Sequence, residues 1–146
     1  MDLSAKPHQH GTAQDTVRAV IHVCETCRSG SEPADGPRDG AVLAERVGAL
    51  AEAGDGIVEV RTVACLANCK RALSAGIRSV DGWSYVFGDL TSESAEDLLE
   101  GARLLGDAAD GLMPWKGRPD ALKRGMIARI PPLDPIQKSN SKDLNR

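Results

Sequence analysis

Four cysteines, the only ones in the chain, stand in two short pairs. Two residues lie between the cysteines of the first pair and three between those of the second, and each pair follows a run of strand-forming residues. Where thiols are kept reduced, such pairs are more often metal ligands or redox groups than structural disulfides. Four thiolates in one place form a soft ligand set that suits an iron–sulfur cluster or zinc. The candidate ligands are Cys24, Cys27, Cys65 and Cys69.

Two predicted strands position these pairs. Residues 17–23 are rich in β-branched side chains and predict a buried strand that ends at Cys24. Residues 57–63 alternate between apolar and charged side chains, predict a second strand, and lead to Cys65. A Gly- and Pro-containing loop over 28–39 and a helix over about 40–53 connect them. A strand–helix–strand unit predicts a right-handed parallel crossover, so both cysteine pairs are expected at the same edge of the sheet.

The second half of the chain predicts a hairpin and a last helix. Residues 75–80 and 83–87 are strand-like runs joined by Asp81-Gly82, a dipeptide that favours a type I′ turn. Thr91 or Ser92 is expected to cap the helix that follows. The order β-α-β-β-β-α therefore predicts an α/β fold with a mixed four-stranded sheet and helices packed on it.

We expect a single domain over residues 16–133, with a Pro-rich C-terminal extension from about residue 111. Residues 1–15 are predicted to be a flexible leader and residues 134–146 a disordered tail, because both are polar. The net charge of −3 gives no basic field for nucleic acid or an anionic bilayer. No apolar run approaches the roughly 18 to 20 residues that span a membrane. The first residues lack the apolar stretch of a secretory signal, so a cytoplasmic location is expected.

Other uses of these side chains compete with a cluster. Zinc accepts four thiolates at similar spacings, although structural zinc mostly serves domains too small to form a core. A disulfide oxidoreductase activates the first cysteine of a Cys-x-x-Cys pair at a helix N-terminus. Glycines and prolines in 28–39 prevent a helix from starting at Cys24, and this chemistry gives Cys65 and Cys69 no role. His22 shares a strand face with Cys24, but four thiolates already complete a site, which favours a partly buried strand histidine.

The run Ala64-Cys65-Leu66-Ala67-Asn68-Cys69 resembles the second cysteine pair of the thioredoxin-like [2Fe–2S] ferredoxins. The resemblance covers roughly residues 17–106. It implies a thioredoxin-like fold with a [2Fe–2S] cluster. Two features depart from that family: the first pair is more closely spaced, and Ala72-Leu73 stands where a proline is common. The ligands that the resemblance implies are Cys24, Cys27, Cys65 and Cys69.

Segments downstream are similar to a narrower family of uncharacterised bacterial proteins labelled "predicted metal-binding protein". The similar segments are residues 83–90, 114–119 and 128–133.

Four cysteine ligands leave the iron without an open position for substrate, which favours electron transfer over catalysis. The prediction is a ferredoxin-like protein, not an enzyme, that passes single electrons to a redox protein partner. Homodimerisation through a sheet edge is compatible with this fold. The alternative is a four-cysteine protein that holds zinc or another thiophilic metal as a sensor or chaperone. For that alternative, the narrower family suggests a link to cobalamin metabolism.

Overall fold

The computed structural model describes residues 17–28 and 35–133. The predicted leader and tail therefore lie outside the described residues. Five strands form one sheet in the order β2-β1-β3-β4-β5, in which β1 and β2 are parallel and the other neighbours antiparallel. The strands are β1 Ala19–Cys24, β2 Val58–Val63, β3 Ala75–Ser79, β4 Ser84–Phe87 and β5 Met126–Ile130. The helices are α1 Asp39–Glu52, α2 Ala95–Asp107 and α3 Asp120–Arg124, with a 3₁₀ turn at Cys69–Arg71.

The predicted strand–helix–strand unit is confirmed. Strand β1 lies between β2 and β3, and its alternate residues Ala19, Ile21 and Val23, which share one face of the sheet, are fully buried. Helices α1 and α2 pack against each other and against the first strands of the sheet. The apolar stripe of α2 is buried at Leu98 and Leu105. Within the described residues, no helix is both long and apolar enough to cross a membrane.

The predicted type I′ turn is wrong. Neither Asp81 nor Gly82 has the positive φ that this turn requires. The connection packs against the segment that follows α2, where the Trp83 amide donates to the Gly111 carbonyl at 3.0 Å. A Cβ on Gly82 would lie 2.7 Å from the Gly111 Cα, so glycine is needed there for close backbone approach.

The predicted cap of the last helix is displaced. Helix α2 begins after Ser94, not after Thr91 or Ser92. Thr91 forms a local turn ahead of the helix, in which its hydroxyl accepts a hydrogen bond from the Glu93 amide at 3.1 Å. Side chains of this kind form such turns readily, which makes the position of a cap ambiguous in the sequence.

The sheet has five strands rather than the predicted four. The fifth, β5, lies in the Pro-rich extension and pairs antiparallel with β4. Arg118 secures this extension, because its buried guanidinium donates to the carbonyls of Met113 and Pro114 and lies 5.7 Å from the centre of the Tyr85 ring. The extension is therefore part of the domain, with Met113 and Leu122 in its core.

Candidate metal centre

The two cysteine pairs lie at the same edge of the sheet. Strands β1 and β2 run parallel in a register that sets Cys24 beside Val63, so both strands end together. The first cysteine loop (residues 24–28) then lies against the second cysteine loop (residues 64–74). The Glu25 amide donates to the Val63 carbonyl at 2.9 Å, and the Thr26 hydroxyl donates to the Ala64 carbonyl. The parallel pairing thus joins segments that are far apart in the sequence.

The first pair is buried. Cys24 and Cys27 expose 2% and 4% of their surfaces, and both are free thiols. Burial raises the pKa of Cys27 to about 11, and its hydrogen bond to Cys24 adds to this effect. Burial also acts upward on the pKa of Cys24, but hydrogen bonds from Cys27, the Leu66 amide and Thr26 outweigh it, and the net shift is downward. Cys24 is therefore the sulfur of the pair that ionises first.

The N-terminus of α1 packs on the first cysteine loop. The Gly40 amide donates to the Cys27 carbonyl at 3.0 Å. The Arg38 guanidinium donates to the Thr26 carbonyl at 2.8 Å. A Cβ on Gly40 would overlap the carbonyl oxygen of Cys24 and lie 3.1 Å from the Cys27 Cβ. Only glycine allows this approach, so Gly40 sets how closely the helix supports the first pair.

The second pair is exposed. The Ala67 amide donates to the Cys65 sulfur at 3.1 Å, and Ala67 adopts a left-handed φ of 59° to do so. Cys69 begins the 3₁₀ turn that leads towards β3. Among the described residues, no group of three or more His, Cys, Asp or Glu side chains is close enough to hold a metal ion. The structure thus brings the two loops together without gathering all four sulfurs, and their role as joint ligands stays a prediction.

Ser74 is a site residue that the sequence analysis missed. Its side chain is fully buried and exchanges hydrogen bonds with Asn68, accepting from the amide nitrogen Nδ2 at 2.8 Å and donating to the backbone carbonyl at 3.3 Å. Its own carbonyl accepts from the Cys24 amide at 3.2 Å. Its amide and hydroxyl also reach the Cys27 sulfur, where they act against the upward shift of the pKa. Ser74 therefore ties the second cysteine loop to both members of the first pair.

Replacing Ser74 with alanine should lower the free energy of unfolding by about 1–3 kcal/mol, because the Asn68 amide loses a partner at a partly buried position. Amide hydrogen exchange in residues 66–71 should become faster at the same time. Ser84→Ala is the matched control, since the Ser84 hydroxyl has no side-chain hydrogen bond within 17–28 and 35–133 and should cost little. Urea denaturation and hydrogen exchange measure both effects. If the two variants lost equal free energy of unfolding, Ser74 would have no special role in holding the two loops together.

His22 is a half-buried residue of β1. It lies beside Arg61 in the parallel register. Burial lowers the pKa of His22, and the positive charges of Arg78 and Arg61 lower it further. A neutral imidazole between two arginines matches the interpretation of His22 as a partly buried strand histidine.

Comparison with known proteins identifies the family. Residues 21–132 match the model of a family described as "Protein of unknown function (DUF1636)". The chain belongs to this family. No curated protein matches the chain.

A solved structure supports the fold. The chain is similar to a structure titled as a thioredoxin-like [2Fe–2S] ferredoxin from Aquifex aeolicus, with a TM-score of 0.51 and 12% sequence identity. The match covers 81% of this chain and 98% of that one. At this identity the likeness concerns the fold alone, and it confirms the thioredoxin-like α/β fold that the resemblance implied.

The donor set fits a thiophilic group by its chemistry. Four free thiols on two adjoining loops offer the soft ligands that an iron–sulfur cluster or zinc requires. Cys24 already has the lowered pKa that favours a thiolate, and backbone amides of the second cysteine loop donate to the sulfurs of Cys24 and Cys65. Hydrogen bonds of this kind stabilise negative charge on sulfur. Because the first pair is buried and the second is exposed, gathering the sulfurs requires adjustment of the second cysteine loop rather than of the core.

Proposed function

We propose that this protein binds a [2Fe–2S] cluster and passes single electrons to a protein partner. The observation that carries the proposal is the parallel register of β1 and β2, which lays the two cysteine-bearing loops against each other. The fold it shares with a chain titled as a [2Fe–2S] ferredoxin supports the same assignment. The proposed ligands are Cys24, Cys27, Cys65 and Cys69.

Each of the two cysteine loops would supply half of the cluster site. Cys24 and Cys27 form the buried half of the site, held by Gly40 of α1 and by Ser74. Cys65 and Cys69 form its exposed half. The cluster, when bound, supplies a one-electron couple. The fold would keep water from the buried pair and leave the exposed pair open to a partner, as electron transfer between proteins requires. The protein would act as a carrier without a substrate of its own.

Metal and acid-labile sulfide analysis after oxygen-free purification tests this proposal. We expect about two iron atoms and two sulfides per chain, with visible absorption bands and an EPR signal on one-electron reduction. A colourless protein with one zinc per chain and no sulfide would contradict the proposal. That outcome would instead support the four-cysteine metal-handling alternative, because zinc accepts the same thiolates without redox chemistry.

A further inference from the structure

The exposure of the second pair limits where a partner can approach. Cys24 and Cys27 lie under α1 and the second cysteine loop, whereas Cys65 and Cys69 reach the surface. A partner that exchanges electrons with this site must therefore contact the surface around the second cysteine loop. The charge and shape of this surface therefore determine which kind of partner can bind.

This surface is basic although the whole chain carries a net charge of −3. The second cysteine loop, the segment 119–125 and Asp89 together contain four basic residues and two acidic ones. Asp89 forms an ion pair with Arg71 at 2.7 Å, so Arg71 contributes little net charge. Lys70 and Arg124 are exposed. A local positive field is left beside the exposed cysteines.

Gly88 joins these segments into one surface. The Gly88 amide donates to the Gly125 carbonyl at 2.8 Å, which holds the end of α3 beside the end of β4. A Cβ on Gly88 would lie 2.7 Å from the Arg71 carbonyl, 2.8 Å from the Ile127 Cδ1 and 2.9 Å from the Asn68 Nδ2. The second cysteine loop and the start of β5 are therefore immediate neighbours.

Ile127 adds an apolar element to the same surface. Its side chain is 36% exposed, and it lies beside Gly88, which adjoins the second cysteine loop. The second cysteine loop itself forms a pocket of about 350 Å³, lined by Ala67, Asn68, Cys69 and Lys70, and Gly88 lies between Asn68 of this loop and Ile127. An exposed apolar side chain beside a concave surface with a rim of positive charge is typical of a protein interface rather than of a face meant only for water.

We propose that the surface formed by Cys69, Lys70, Arg124 and Ile127, here called the docking face, binds an acidic surface of the redox partner. This inference rests on the proposed function, since it assigns the partner of that site. Positive charge favours a negatively charged partner and accelerates its encounter. A second copy of the chain fits less well, because two docking faces would oppose Lys70 and Arg124 with the same residues.

A fluorescein-labelled glutamate-rich peptide serves as a probe of this chemistry. Fluorescence anisotropy at low ionic strength should detect its binding to the full chain as purified. The double variant Lys70→Glu/Arg124→Glu should bind about tenfold more weakly, since it replaces attraction with repulsion at the interface. Arg18→Glu/Arg103→Glu is the matched control: it reverses two positive charges as well, at the other end of the domain, where both arginines pair with carboxylates. Its affinity for the peptide should stay close to that of the wild type.

Carbodiimide coupling locates the contact, because it joins peptide carboxylates to lysine amines in close contact. Mass spectrometry should find the peptide on Lys70 and little of it on Lys116. Equal peptide affinity in the wild type and the double variant, or coupling spread evenly over the lysines, would overturn the docking face. Iron and sulfide measured on the same preparation keep this result separate from the proposed function. A protein that carries the cluster but does not bind the peptide would contradict the docking face and leave the proposed function intact.

Discussion

Replacing Cys65 with serine should reduce the iron bound per chain by about tenfold or more, because even residues that only support a metal ligand typically cost 10- to 100-fold in affinity. Serine keeps the size of the side chain but removes the soft thiolate that iron in a cluster prefers. Cys65 is exposed, so the fold has little reason to change. The visible absorption and the EPR signal should be lost or strongly altered, while far-ultraviolet circular dichroism should stay that of the wild type.

Ala64→Ser is the matched control for this variant. It places a hydroxyl on the neighbouring exposed residue and leaves all four thiols in place. Its iron content and spectra should equal those of the wild type. If the Cys65→Ser protein also kept wild-type spectra, Cys65 would not be a ligand, and the assignment of the second pair would fail with it.

The sequence predicts well where the two cysteine-bearing loops lie, because the signal that locates them is local. The β-branched run before Cys24 and the alternating run before Cys65 each predict a strand on their own. The right-handed crossover rule then requires both strands to end at one edge, and the register of Cys24 beside Val63 agrees with it.

Features that depend on contacts between distant segments were missed. The Asp81-Gly82 turn packs closely against Gly111, and no local sequence pattern predicts this contact. Strand β5 is short and followed by Pro131, and its pairing with β4, which is distant in the sequence, is not visible in any local pattern. Ser74 lies in an ordinary run between the second pair and β3, and its role comes from hydrogen bonds to Asn68 and the first pair.

The first pair is buried, so the residues that pack around it can be tested separately from the exposed ligands. The second pair is exposed at the surface, whereas the first is confined between β1, Ser74 and α1. Gly40 is the closest point of this confinement. Changing it should therefore disturb the site through the fold rather than through a ligand.

Gly40→Ala should lower the free energy of unfolding by about 1–3 kcal/mol, the usual cost of forcing additional atoms into a packed interior. The added methyl group would overlap the Cys24 carbonyl, which belongs to the backbone and cannot rotate away. Helix α1 must move outward, and the hydrogen bond from the Gly40 amide to the Cys27 carbonyl must lengthen. Urea denaturation measures the loss, and faster alkylation of Cys24 and Cys27 by iodoacetamide in metal-free protein reports the loosened loop.

Gly48→Ala gives the opposite result in the same helix. A Cβ at Gly48 meets no atom within 4 Å, so only the backbone preference remains, and alanine should stabilise α1 by about 0.5–1 kcal/mol. The two variants carry the same chemical change, and they differ only in what the new methyl group contacts. If Gly40→Ala also stabilised the protein and left the alkylation rates unchanged, α1 would not be packed against the first cysteine loop, and the support that we assign to it would be absent.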